Sequence, residues 1–305
     1  MDTRTAAVEF DAIVIGGSYA GLAAATQLAR ARRRILVIDA GQRRNRFARH
    51  SHGFLTQDGS EAAAIAATAR EQLLKYPNVA WVAGTAAHAQ AQGDGFIVTL
   101  ADGSTRSGSR LVLATGVKDT LPPLDGLAER WGRSVFHCPY CHGYELDAGA
   151  IGVLAVGPLS MHHALMLPDW GSVTFFLNDA FEPDAAQLAA LAARQVRIER
   201  SKVARIEGEA DVVLADGRVL PMAGLFVAAQ MHAASPVAGQ LGCAMEDGPM
   251  GAYVRTDAMK ASSVAGVFCC GDMARPAGNV AFAVADGAMA GVAAHRSLIP
   301  QLQAA

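Results

Sequence analysis

The chain has 305 residues, 51% hydrophobic and 18% charged, with a formal net charge of -2. That length buries a sizeable core and favours two domains over one, and a charge so near zero leaves no electrostatic footprint for nucleic acid or an anionic membrane. No apolar run approaches the ~18 residues of a membrane span, and Met1 to Phe10 carries both charge signs without an apolar leader core, so a cytoplasmic protein with no membrane partner is expected.

The first forty residues read strand, glycine turn, helix, strand. Phe10 to Ile15 is an apolar run, Tyr19 to Ala31 is alanine-rich and helical, and Ile35 to Ile38 is apolar again. Between the first two lies Gly16-Gly17-Ser18-Tyr19-Ala20-Gly21, which fits the dinucleotide fingerprint G-x-G-x-x-G except that Ser18 replaces the second glycine. The backbone tolerates that replacement if Ser18 keeps a negative φ, and N–H groups at the helix start then hold a pyrophosphate. Asp39, closing the second strand, stands where a ribose-binding carboxylate belongs. Arginines between Arg30 and Arg49 alternate with apolar and small residues, as on a solvated face or beside phosphate.

Alternating segments Phe96 to Leu100 and Arg110 to Leu113 follow, ending in the small-residue turn Ala114-Thr115-Gly116, and Leu121-Pro122-Pro123 reads as a linker. From near residue 120 the βαβ grammar repeats, with strands over Ala150 to Val156 and Ser172 to Leu177. Near the C-terminus, Val267 to Asp272 is a strand ending in Gly-Asp, followed by a long helix over Asn279 to Ser297. Between the two repeats sits Cys138-Pro139-Tyr140-Cys141. Five cysteines do not make a disulfide scaffold in this length, and in a reducing compartment a close pair is more often catalytic or metal-binding than structural. His137 and His142 flank the pair, but adjacent residues on one turn rarely converge on one ion, and no metal is expected. A C-x-x-C thiol brought to a pKa of about 7 is roughly half thiolate at neutral pH, so a redox pair is expected. Cys269 and Cys270 end an apolar strand as small core residues, and Cys243 has no partner visible in the sequence.

In order and kind, these motifs resemble the low-molecular-weight thioredoxin-reductase family over essentially the whole chain. The resemblance implies an α/β fold of two Rossmann-like, three-layer nucleotide-binding domains: a discontinuous FAD domain over 1–119 and 246–305, and an inserted domain over 120–245 carrying the C-x-x-C. It implies FAD contacts at Gly16, Ser18, Tyr19, Ala20, Asp39, Ala40, Gln42, Asn45, His52, Ala86, Ala114, Thr115 and Gly116. Further contacts follow at Gly271, at Asp272 on the ribitol, and at Asn279, Val280 and Ala281 against the flavin pyrimidine. A homodimer follows from the same resemblance.

Three departures bear on activity. The inserted domain offers Gly157-Pro158-Leu159-Ser160-Met161-His162 where a second glycine fingerprint for NADPH belongs, and only the first glycine survives; Pro158 also removes a backbone donor. The strand ending Leu177-Asn178-Asp179 lacks the His-Arg-Arg of the family, and Asp179 would repel a 2'-phosphate. The residue after the second cysteine is His142 in place of an acid. Together with the string from His137 to Glu145, these departures resemble the flavin-dependent dithiol oxidases that close the disulfides of gliotoxin, holomycin and romidepsin. The resemblance implies a small-molecule dithiol substrate, Cys138 as the exposed interchange thiol, Cys141 facing the flavin, and molecular oxygen as the acceptor. His142 is the expected base for incoming thiols, with Glu145 three residues on to orient it. The alternative is a disulfide reductase driven by a donor other than NADPH.

Overall fold

The computed structural model describes residues 9–302, so most of the N-terminal stretch read for a leader lies outside the described residues. In chain order the main elements are strand β1 (Phe10–Ile15), helix α1 (Tyr19–Arg30), β2 (Ile35–Asp39), α2 (Ala62–Leu74), β3 (Val79–Ala83), β4 (Ala86–Gln92), β5 (Gly95–Leu100) and β6 (Thr105–Leu113). Then come β7 (Val135–Phe136), α3 (Pro139–His142), β8 (Ala148–Leu154), α4 (Met161–Met166), β9 (Gly171–Phe176), α5 (Ala185–Ala193), β10 (Arg197–Glu199), β11 (Val203–Glu207), β12 (Asp211–Leu214) and β13 (Gly224–Val227). The chain ends with α6 (Val237–Gln240), β14 (Val267–Cys269) and α7 (Val280–Ser297).

Contacts divide the chain into two compact units, one of residues 1–46, 63–118 and 231–305, the other of 47–62 and 119–230. The first unit is built on a seven-stranded sheet in the order β3-β2-β1-β6-β5-β4, with β14 also on β6. Strands β3, β2, β1, β6 and β14 run parallel, and the hairpin pair β4–β5 turns back antiparallel. Parallel strands covered on both faces read as continuous apolar runs, which is why Ile13, Val14, Leu36, Val37, Leu111 and Val112 are almost wholly buried. Helix α7 lies along α1 because glycines face it: a Cβ on Gly287 or Gly291 would overlap the carbonyl oxygen of Ala20 or Ala24.

The second unit has a five-stranded parallel sheet, β7-β13-β8-β9-β10, and a small antiparallel sheet containing β11 and β12. Its core is Phe136, Ile151, Val153, Phe175 and Phe226 with α4 and α5 residues such as Ala164 and Leu191. The return to the first unit comes at residue 231, not 246. The reason is α6: Val237 and Ala238 enter the core with Ala89 and Phe96, and the Gln240 side chain binds both the Ala89 N–H and the Ala87 carbonyl of β4. Residues 47–62 likewise group with the second unit, where Phe47 packs so closely on Gly132 that a Cβ there would meet it. No helix among the described residues is long and apolar enough to cross a membrane.

Candidate redox and cofactor sites

The carboxyl ends of adjacent parallel strands gather the glycine-rich segments of the first unit. Gly16 N–H donates to the Ile38 carbonyl (2.8 Å), Ala114 N–H to Ile15 (2.8 Å) and Cys270 N–H to Leu113 (3.0 Å). Gly16, Asp39, Ala114 and Gly271 thereby come to one edge of the sheet, where open α/β sheets hold their ligands. Gly16 has φ +107°, and a Cβ at Gly21 would overlap the Gly16 carbonyl oxygen, so two of the fingerprint glycines are sterically required. Ser18 keeps φ -96° as the N-cap of α1 and makes no side-chain capping bond, so its substitution leaves the turn intact.

Asp39 Oδ1 accepts the Gly17 N–H at 3.0 Å. Asn45 donates to the Tyr19 hydroxyl at 3.1 Å, while its own Oδ1 and the Nε of Arg43 are buried without a hydrogen-bond partner. Buried polar atoms left in this state point to a missing polar ligand. Asp272 carries an ion pair to Arg44 at 2.9 Å and Thr115 Oγ1 lies 3.2 Å from Met273 Sδ, which brings three of the expected segments together. Gly116 has φ +68° with open space where a Cβ would stand, and Ala40 and Gln42 are exposed beside Asp39. Asn279 caps α7 through Oδ1, which accepts the Phe282 N–H at 2.8 Å, and Val280 and Ala281 are half-buried in the first turn. Ala86, in contrast, is buried in the core with Leu100 and Val98. These residues fit a flavin adenine dinucleotide: small-residue turns for the pyrophosphate, carboxylates for the sugar hydroxyls, and unpaired donors and acceptors at Arg43 and Asn45.

The cysteine turn belongs to the second unit. Cys138 is the extended N-cap of α3, Pro139 occupies the first helical position, where its missing N–H costs nothing, and Cys141 N–H returns to the Cys138 carbonyl at 3.2 Å. Both cysteines are half-buried. Tyr140 and Tyr144 beside them are 71% and 85% exposed, and Tyr140 meets Trp170 edge-on at 5.4 Å. Among the described residues no group of three or more His, Cys, Asp or Glu is arranged to hold a metal.

Three histidine arrangements differ from what residue spacing suggests. Glu145 does not reach His142. Its Oε1 lies 3.2 Å from Nδ1 of His52, which Asp58 also approaches at 3.8 Å. The turn after α3 is the cause: Tyr144 to Leu146 form a separate 3-10 turn, so the i,i+3 geometry of one continuous helix does not apply. His52, expected beside the flavin, is thus held by the loop of residues 47–62 against the cysteine segment. His142 stacks on Phe136 at 4.4 Å and 16°, with both ring nitrogens buried and without partners, and burial followed by the nearby His52 charge lowers its pKa to about 4. His163 of α4 is 5% exposed and meets His137 edge-on at 5.7 Å; burial, then the His137 charge, brings it also to about 4, although a ring bond to the His137 backbone opposes the shift. A spacing argument missed both His52–Glu145 and His163–His137, because each pair joins distant segments of chain.

A Rossmann-like unit with a flavin cradle, joined in one chain to a unit presenting a C-x-x-C turn, defines a flavin-dependent thiol oxidoreductase that binds FAD. The chain belongs to the pyridine nucleotide-disulphide oxidoreductase family, whose model matches residues 10–295. It is 33% identical to thioredoxin reductase tcpT of Claviceps purpurea over 96% of this chain and 95% of that one. It is 32% identical to thioredoxin reductase sirT of Leptosphaeria maculans, covering 92% of each. Among solved structures it is similar to an oxidoreductase from Agrobacterium tumefaciens (TM-score 0.93, 57% identity, 96% of this chain and 99% of that one). It is also similar to HlmI (TM-score 0.89, 35% identity, 96% and 94%).

Proposed function

We propose that the protein is a dithiol oxidase that closes a disulfide in a small natural-product-like dithiol and needs no nicotinamide donor. The observation that carries this reading is the turn after β8. Gly157 runs straight into Pro158 and a 3-10 turn, Ser160 Oγ fills the turn by accepting the Val156 N–H at 3.0 Å, and the helix that follows has six residues. A dinucleotide pyrophosphate needs free N–H groups there, and Pro158 and Ser160 remove two of the features that supply them. At the end of β9, Asn178 and Asp179 both have positive φ, and Asn178 Oδ1 is engaged by the Val203 N–H.

With Cys138 and Cys141 oxidised, a substrate thiolate attacks Cys138 Sγ, the Cys138–Cys141 bond breaks, and Cys141 leaves as thiolate. The second substrate thiol then attacks the substrate sulfur of the mixed disulfide, releasing the product disulfide and Cys138. Substrate loses two electrons and two protons, and the enzyme pair gains the electrons. FAD held in the first unit would supply the two-electron acceptor for the reduced Cys138–Cys141 pair, with dioxygen as the final oxidant and hydrogen peroxide as the product.

The proton acceptor is assigned to His52 with Glu145, not to His142. Moving a proton from a thiol of about 8.5 to an imidazole at about 4 is uphill by about 6 kcal/mol. His52 has a carboxylate on Nδ1, which fixes the orientation of the ring. Exposed Tyr140 and Tyr144 give an apolar substrate two aromatic surfaces.

The test is oxygen uptake by the purified protein with dithiothreitol and no other donor. Rapid uptake with peroxide formation is expected, together with its loss in Cys138→Ser while FAD stays bound. Sluggish uptake, with flavin reduced by a protein donor such as ferredoxin, instead identifies the reductase. Sedimentation of the holoprotein tests the homodimer and of lysate fractions the cytoplasmic location.

A further inference from the structure

Asp286, in the second turn of α7, is the only buried carboxylate among the described residues, 3% exposed. Two cations reach it. Its Oδ1 lies 2.9 Å from Lys260 Nζ, and Arg275 donates to both oxygens, Nε to Oδ2 at 2.5 Å and Nη2 to Oδ1 at 3.1 Å. A carboxylate this deep is costly unless paired, and losing either cation exposes that cost, so the three side chains fix their segments to one another. Lys260 comes from beside β14, where its carbonyl accepts the Cys269 N–H at 2.9 Å. It has φ +66°, a conformation that a residue with a Cβ rarely adopts, in the turn that Asp257 closes by accepting the Met259 and Ala261 N–H groups.

Arg275 ties this cluster to the flavin cradle. It directly follows the 3-10 turn Gly271–Ala274, which carries Asp272, and its guanidinium carbon lies 4.7 Å from the centre of the Phe282 ring in the first turn of α7. Between those points the chain doubles back. A Cβ on Gly278 would overlap Asp272 Oδ1, so glycine there lets the backbone close on that carboxylate, whose Oδ2 is held by Arg44 at 2.9 Å. Arg275 is thus part of a loop, residues 272–279, that runs from the carboxylate expected at the ribitol to the cap of the helix turn expected at the flavin pyrimidine. Asp286 anchors that loop from behind.

We propose that Asp286 is a positioning residue for the flavin: through Arg275 it fixes the loop of residues 272–279, and with Lys260 and Arg275 it sets the charge felt by the cofactor. A flavin that takes up two electrons and one proton gains negative charge, and charges near its ring tune how readily it does so. Neutralising Asp286 leaves two cations and favours the reduced flavin, whereas neutralising Arg275 or Lys260 removes a cation and disfavours it. Opposite effects of neighbouring substitutions belong to charge. Loosened packing alone moves the variants the same way or leaves the potential untouched. The assignment concerns the cofactor and holds for either direction of flow at the C-x-x-C.

The test titrates the flavin of the full-length holoprotein anaerobically with dithionite against a reference dye, in a Cys138→Ser background where no C-x-x-C disulfide shares the electrons, and measures FAD release by fluorescence. Asp286→Asn is expected to raise the flavin midpoint potential and Arg275→Met to lower it. Both release FAD about tenfold faster, the scale of a lost charged hydrogen bond. Asp286→Glu returns the potential toward that of the parent protein. If Asp286→Asn fails to retain the cofactor, Lys260→Met, which keeps the Arg275 pair, must still lower the potential. Shifts in the same direction for Asp286→Asn and Arg275→Met, potentials unchanged in variants that keep FAD, or FAD release at the parent rate in both overturns the proposal.

Discussion

Single side chains around the cysteine turn divide into those that exchange protons and those that are kept neutral. His142, at about 4 and enclosed against Phe136, stays uncharged throughout the neutral range. We therefore expect His142→Phe, which preserves the stack, to leave kcat/KM for a small dithiol within about threefold, whereas His52→Asn lowers it roughly a hundredfold, the usual scale of a lost general base. Glu145→Gln falls between, because the carboxylate on Nδ1 of His52 holds the ring in orientation and the neutral amide holds it less firmly. A large loss in His142→Phe with none in His52→Asn returns the base to His142. His163 gives a stability prediction. Its folded pKa of about 4 lies below the ordinary value of 6.5, so the unfolded chain binds the extra proton between those values. Stability from this group is complete above 6.5 and is lost as pH falls toward 4, by about 3 kcal/mol in all. Urea unfolding of the holoprotein should show that loss between pH 6.5 and 4, with a flatter dependence in His163→Phe; parallel slopes contradict it. The cysteine pair was legible in the sequence because C-x-x-C is local. The histidine partners were not, since His52 and Glu145 meet only through folding of the loop of residues 47–62.

At the scale of elements, what could be read from sequence were the parallel strands, because burial on both faces makes them uninterrupted apolar runs, and the fingerprint helix, because its turn chemistry is fixed. Strands β1 and β2 and helices α1 and α7 lie within a residue or so of where hydrophobic pattern puts them. Short elements defeated the pattern. Helix α6 has four residues, yet Val237 and Ala238 pin the 231–245 segment to the first unit. Helices α1 and α7 make a specific demand that periodicity does not reveal, namely glycine at the crossing. A methyl group at Gly287 would overlap the Ala20 carbonyl, in the first turn of α1 and beside the fingerprint. Gly287→Ala is therefore expected to cost about 1–3 kcal/mol through overpacking, despite the better helix propensity of alanine, and to weaken FAD retention by displacing the start of α1. Thermal unfolding and FAD dissociation by fluorescence check both; a raised midpoint with unchanged FAD binding shows that α7 shifts freely.

For the whole molecule, the proposed direction of electron flow rests on what the second unit offers a nucleotide. It has the parallel sheet β7-β13-β8-β9-β10, the architecture of a nucleotide-binding domain, while the turn after β8 is a proline-led 3-10 turn. Helix α4 beyond that turn supports the cysteines instead, since His163 bonds to the backbone of His137, immediately before Cys138, and packs near Phe226 at 6.1 Å. On the proposed reading, glycines alone would not make this turn a nicotinamide site, because a helix that receives pyrophosphate must free its first N–H groups. An Asp179 carboxylate after β9 adds repulsion toward a 2'-phosphate. Under anaerobic conditions, then, NADPH at millimolar concentration should leave the flavin oxidised for minutes, while an equimolar dithiol bleaches it within seconds and readmitted air restores the colour. Rapid bleaching by NADPH would mean that the nucleotide binds without the fingerprint. Bleaching by neither reagent, with reduction by a protein donor, would assign the C-x-x-C to breaking disulfides.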